Sequence, residues 1–155
     1  MSDKIKLGLI GGGLSSFIGI VHRVAAYMGE NYVLTGGVFD INFDKGNQFA
    51  KQLDLDASRS YPSLDVFIEK ELALSVDNRI EAVSILTPNF LHFEMAKKLV
   101  NAGFNVICEK PITVTAEEAR TLKKLVEEKG VVFGLSHTYT GYPMVRQMKS
   151  MIAEG

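Results

Sequence analysis

Residues 5–19, Ile-Lys-Leu-Gly-Leu-Ile-Gly-Gly-Gly-Leu-Ser-Ser-Phe-Ile-Gly, decide the fold. An apolar run, Ile5–Ile10, meets three glycines, and a helical pattern then continues through Met28. In a dinucleotide fold the first glycine makes the tight turn and the second lets backbone approach a pyrophosphate. The following helix start supplies amides and partial positive charge. Gly11 and Gly13 fit the first two roles. The third glycine of G-x-G-x-x-G would fall at Ser16, so either Ser16 substitutes or the loop is longer and Gly19 takes the role. A glycine-rich turn without a ligand is the plain alternative, and its placement between the first strand and first helix argues against it.

Further apolar, β-branched runs follow at Val33–Asp40, a short Arg59–Tyr61, Ile80–Leu86, Phe104–Cys108 and Val131–Ser136. They are nearly continuous rather than alternating, as strands covered on both faces must be. Helical patterns separate them. Leu91, Met95, Leu99 and Val100 share one face, as do Ala119, Leu122, Leu125 and Val126. Thr115-Ala-Glu-Glu118 reads as a capping box, and Gly103 and Gly130 stand where left-handed caps close helices. The expected fold is α/β: a Rossmann-type, doubly wound, mostly parallel six-stranded sheet with helices on both faces. Met144 to Gly155 reads as a final helix with a broad apolar face.

The 155 residues suit one domain with an adequate core. Seventeen basic residues against eighteen acidic ones leave no electrostatic footprint for nucleic acid or an anionic membrane. No apolar run approaches the ~20 residues of a membrane span. The single cysteine, Cys108, excludes an internal disulfide and a cysteine-cluster zinc site, and it reads as a small buried hydrophobe. A soluble cytoplasmic protein is expected.

Asp40 closes the second strand, 27 residues after Gly13 against the usual ~20, in keeping with an enlarged first loop and helix. A carboxylate there can accept both hydroxyls of an adenosine ribose and repels a 2′-phosphate. No Lys or Arg follows before Lys45, so NAD is favoured over NADP. A turn or cap role is the alternative for Asp40, which Asn42 or Asp44 could equally fill. Two more clusters stand at strand ends, Thr87-Pro88-Asn89 with His92, and Glu109-Lys110-Pro111. Taken locally, Thr87 would cap a helix, Pro88 would open it, Asn89 and His92 would be exposed first-turn residues, and Glu109-Lys110 a surface charge pair.

Together these segments resemble the Gfo/Idh/MocA oxidoreductases, the glucose–fructose oxidoreductase and inositol dehydrogenase relatives. The resemblance rests on GLIGGG, IGIVHRVAA, TPNFLHFEMAKKLVNAGFNVICEKPIT and SHTYTGYPMVRQM, and it covers nearly the whole chain. It implies an N-terminal Rossmann domain that binds NAD(H) or NADP(H), with a sugar, polyol or related carbonyl or alcohol held against a C-terminal α/β domain. Lys110 would lie beside the nicotinamide and hydrogen-bond the reacting oxygen as the catalytic residue. Glu109 would contact the nicotinamide ribose, Pro111 would follow a cis peptide, and Thr87, Pro88, Asn89 and His92 would line the nicotinamide half. Gly11, Gly13, Ser16, Phe17, Ile18 and Asp40 would hold the rest of the cofactor, with no metal ligand.

The family's second catalytic group, a histidine usually accompanied by an aspartate, belongs to the C-terminal domain. The expectation is therefore a cofactor module, residues 1–155, whose partner domain is absent, in a protein that forms homo-oligomers through that domain. His137 and Tyr139 could approach the site edge but are not assigned the missing role. The competing readings are a non-catalytic dinucleotide-sensing regulator, which would tolerate loss of Lys110, and a methyltransferase, for which Glu-Lys-Pro has no purpose.

Overall fold

The computed structural model describes residues 4–155. Five strands, β1 (Ile5–Gly11), β2 (Tyr32–Val38), β3 (Ala82–Leu86), β4 (Asn105–Glu109) and β5 (Phe133–Ser136), form one sheet in the order β2-β1-β3-β4-β5. Every neighbouring pair is parallel. Six α-helices complete the fold among the described residues: α1 (Phe17–Met28), α2 (Phe43–Gln52), α3 (Leu64–Leu72), α4 (His92–Asn101), α5 (Ala116–Lys129) and α6 (Pro143–Glu154). None is long and apolar enough to cross a membrane among the described residues.

The continuous apolar runs follow from burial on two sides. All five residues of β3 are buried, with Val83 and Ile85 against α3, α4 and α5 through Phe67, Leu99, Val100 and Leu122. Ala82 and Leu86 join the opposite cluster, where Phe49 and Ala50 of α2 and Ile18 and Ala26 of α1 close the other face. Each fully buried Val, Leu, Ile or Phe among them contributes roughly 1.5–3 kcal/mol. The expected helix ends are present. Thr115 and Glu118 form a reciprocal capping box, and Gly130 closes α5 at φ 66°.

One expected strand is missing, and the sheet has five strands rather than six. Ala57–Arg59 is a 3-10 turn, and Ser60 makes a single bridge to Gly37 instead of a ladder. A buried carboxylate explains the diversion. Glu71 of α3 is fully buried. It accepts two bonds from the Arg59 guanidinium at 2.9 and 2.8 Å, one from the Ile80 amide at 2.8 Å, and one from the Tyr61 hydroxyl. A buried charge must be paired and fully bonded to be tolerated, so Arg59 and Tyr61 are drawn toward α3. Burial, and then the bond to Glu71, push the Tyr61 hydroxyl pKa upward.

The chain steps from β1 outward to β2, then returns to place β3 on the other side of β1. That reversal opens a crevice beyond the carboxyl ends of β1 and β3, where open α/β sheets bind ligands.

Candidate cofactor site

The loop after β1 is held from three sides. Gly11 ends the strand at φ 81°, a left-handed turn that side-chain-bearing residues rarely adopt. Gly13 N–H donates to Phe39 O at 3.1 Å, tying the loop to the chain leaving β2. Ser16 is the N-cap of α1, and its hydroxyl accepts from Gly19 N–H at 3.1 Å. Gly19 itself packs on the loop: a Cβ there would lie 2.3 Å from Gly12 O. The third-glycine contact between helix and loop is thus made by Gly19, and Ser16 caps. Arg23 completes the brace, donating to Gly12 O at 2.9 Å with its guanidinium 4.8 Å from the Phe49 ring centroid.

The first turn of a helix leaves amides without intrahelical partners. Ser16 takes that of Gly19, and those of Phe17 and Ile18 belong to residues lining a cleft of about 530 Å³. This cleft also collects Thr87, Asn89, His92, Glu109 and Lys110, with Val21, Thr138, Tyr139 and Tyr142. Seven sequence-selected residues therefore share one cavity. Gly11, Gly13 and Ser16 adjoin it through the loop and the start of α1, whereas Pro88 is exposed beside it. A hollow of about 400 Å³ lined by Lys6, Arg79, Glu81 and Asn105 lies at the opposite end of the sheet, away from the crevice.

Asp40 stands two residues past β2, half-buried, with Oδ1 accepting the Asn42 amide at 2.8 Å. Asn42, one of the expected alternatives, caps α2 through Lys45 N–H at 3.1 Å. Thr87 caps no helix; its hydroxyl lies 3.4 Å from Met95 Sδ, and a 3-10 turn over Asn89–Leu91 precedes α4. His92 is buried rather than exposed. Its Nδ1 lies 2.7 Å from Pro111 O and its Nε2 2.9 Å from Thr87 O, so the ring joins the ends of β3 and β4. Lys110 is exposed at the cleft, and the Lys110–Pro111 peptide is cis. Glu109 is buried, with Oε1 2.9 Å from His22 Nε2 and Oε2 accepting Lys110 N–H at 3.2 Å.

Sequence reasoning did not single out His22 and Ser84 as partners of Glu109, nor Thr138 and Tyr142 as lining. A signal for His22 existed: Gly19, His22 and Arg23 stand at i, i+3 and i+4, one face of α1.

A glycine loop braced against a helix start and free first-turn amides at the switch point of a parallel sheet, with an acidic residue past the neighbouring strand β2, define a dinucleotide-binding Rossmann domain. The model of the Gfo/Idh/MocA group, described as an oxidoreductase family with an NAD-binding Rossmann fold, matches residues 5–137. The chain belongs to that family. An uncharacterized oxidoreductase of Bacillus subtilis, YfiI, is 37% identical over all of the chain and 39% of its own length. The scyllo-inositol 2-dehydrogenase (NADP(+)) IolW of the same organism is 31% identical over 99% of the chain and 38% of its own length. An inositol dehydrogenase homolog from Azotobacter vinelandii, solved with NADH and myo-inositol, superposes with a TM-score of 0.93 at 38% identity. It is matched over all of this chain and 40% of its own. The chain thus spans about two fifths of the length of these relatives.

Proposed function

We propose that the protein serves a nicotinamide-dependent oxidoreductase, moving a hydride to or from a sugar, polyol or related carbonyl or alcohol, and that this chain is its cofactor module. The observation that carries the reading is the single cleft that unites the start of α1 with Thr87, Asn89, Glu109 and Lys110. The amides of Phe17 and Ile18 suit a pyrophosphate, and Asp40 suits an unphosphorylated adenosine ribose. NAD is the proposed cofactor, although the related IolW is named for NADP(+). When bound, the nicotinamide supplies the hydride donor or acceptor.

Lys110 is the residue for the reacting oxygen. Its ammonium offers three donors on a flexible stem, and a cation beside that oxygen stabilises alkoxide character as the C–H bond is made or broken. Glu109, an acceptor-only carboxylate, suits a ribose hydroxyl on the nicotinamide side. Because the relatives are more than twice this length, the substrate pocket and a second acid–base group are assigned to chain beyond these residues. The substrate class rests on the myo-inositol and scyllo-inositol named for those relatives.

Calorimetric titration with NADH and NADPH tests the reading. NADH is expected to bind tighter by at least about tenfold, with negligible turnover by the 155 residues alone. Absence of NADH binding at millimolar ligand would overturn it.

A further inference from the structure

Ser84, His22 and Glu109 form a hydrogen-bonded chain across three elements. The Ser84 hydroxyl, in the middle of β3, lies 2.9 Å from His22 Nδ1, and His22 Nε2 lies 2.9 Å from Glu109 Oε1. A carboxylate has only lone pairs to offer, so Nε2 carries the proton and donates, and Ser84 completes the other side of the ring. The order resembles a hydrolytic triad, but the serine is buried within the sheet and does not line the cofactor cleft. The acid is the member that reaches the cleft. With one bond from His22 and one from the Lys110 amide, each Glu109 oxygen keeps a second lone pair for a ligand donor.

We propose that His22 and Ser84 are positioning residues that fix the Glu109 carboxylate to accept a hydroxyl at the nicotinamide end of the cofactor. The proposal rests on the cofactor reading above and deepens it. Helix α1 makes the assignment specific. Its first residues, Phe17 and Ile18, carry the free amides, and His22 lies four to five residues on, just over one turn and roughly 6–7.5 Å along the axis. Gly19 against Gly12 and Arg23 on Gly12 O lock that same helix to the loop. One rigid element therefore sets both the pyrophosphate end and, through His22, the acceptor at the other end.

Titrations with NADH and with ADP, which lacks the nicotinamide riboside, test the proposal. His22→Leu is expected to weaken NADH by about tenfold or more, the range for a bond to a charged group. Its ADP affinity should stay within about twofold. His22→Gln, which restores an amide donor toward Glu109, should recover most of the loss. Ser84→Ala, which removes only a hydroxyl, should weaken NADH by about three- to fivefold. Adding His22→Leu to Glu109→Gln should cost nothing beyond Glu109→Gln alone. Equal losses of NADH and ADP, an unchanged NADH affinity in Ser84→Ala, or additive effects in the double variant would overturn the relay. If His22→Leu does not fold, His22→Gln and Ser84→Ala decide by the same criteria. A wild-type chain that binds ADP but not NADH would overturn the relay and leave nucleotide binding standing. One that binds neither would overturn the cofactor reading beneath it.

Discussion

Asp40 carries its charge in a bent stretch of chain, with Oδ1 spent on the Asn42 amide and the other oxygen left for a ligand. Asp40→Asn keeps an oxygen for that amide while removing the charge, which isolates the electrostatic part of cofactor choice. The NADPH-to-NADH affinity ratio should rise by at least about tenfold; an unchanged ratio in paired titrations would remove Asp40 from cofactor selection. Cys108, beside Glu109, makes a prediction of another kind. Burial, aided by the Glu109 charge, pushes its thiol up to about 12 from an ordinary 9.0. The folded state therefore holds a proton that the unfolded chain releases between those values, and stability falls as pH rises through that window. Cys108→Ala should flatten base-induced unfolding between about pH 9 and 12. In the native wild type the thiol should react with an aromatic disulfide reagent only at the rate of unfolding. Rapid labelling at pH 8 would show an accessible thiolate instead.

At the scale of elements, α1 organises the site, and its contact with the loop shows what a sequence can and cannot carry. The glycine run, the capping box at Thr115 and Glu118, and the glycine ends of α4 and α5 depend on neighbours a few residues apart, so their local chemistry is written in order. Whether residue 16 or 19 touches the loop depends on how α1 lies across Gly12, which is a packing fact. Arg59–Tyr61 failed as a strand for the same kind of reason. The carboxylate that bends it, Glu71, is 12 residues away from Arg59 and on another element. His22 and Glu109 are 87 residues apart and meet only once β4 is in the sheet. Two substitutions separate the roles in α1. Ser16→Ala removes a cap and should cost about 1 kcal/mol of stability with modest loss of NADH affinity. Gly19→Ala places a methyl 2.3 Å from Gly12 O. Overpacking of that kind should cost about 1–3 kcal/mol and weaken NADH by more than about tenfold as α1 is pushed off the loop. Equal effects in denaturant melts and titrations would mean that Gly19 does not hold the loop.

Across the whole molecule, stability resides in the sheet and its five covering helices, and the cofactor cleft adds to them only the turn at residues 138–142. Both buried clusters are drawn from residues up to Phe133, and α6 contributes to neither. Every residue of α6 is exposed, including Met144, Met148, Met151 and Ile152. A helix of 12 residues without a buried face gains little from propensity alone, since isolated helices below ~12–15 residues are marginal in water. Ending the chain after Tyr142 should therefore shift the thermal midpoint by less than about 3 °C, the equivalent of about 1 kcal/mol for a domain this size. Tyr139 and Tyr142, whose rings meet edge to face at 5.5 Å beside Lys110, are retained in that truncation. NADH at a hundred times its dissociation constant should then add about 2.7 kcal/mol to both forms alike, by mass action on the folded state. Parallel shifts in calorimetric scans would place folding and cofactor binding in residues up to 142. A truncated chain that melts many degrees lower, or that loses the NADH-induced shift, would instead make α6 part of the cooperative unit.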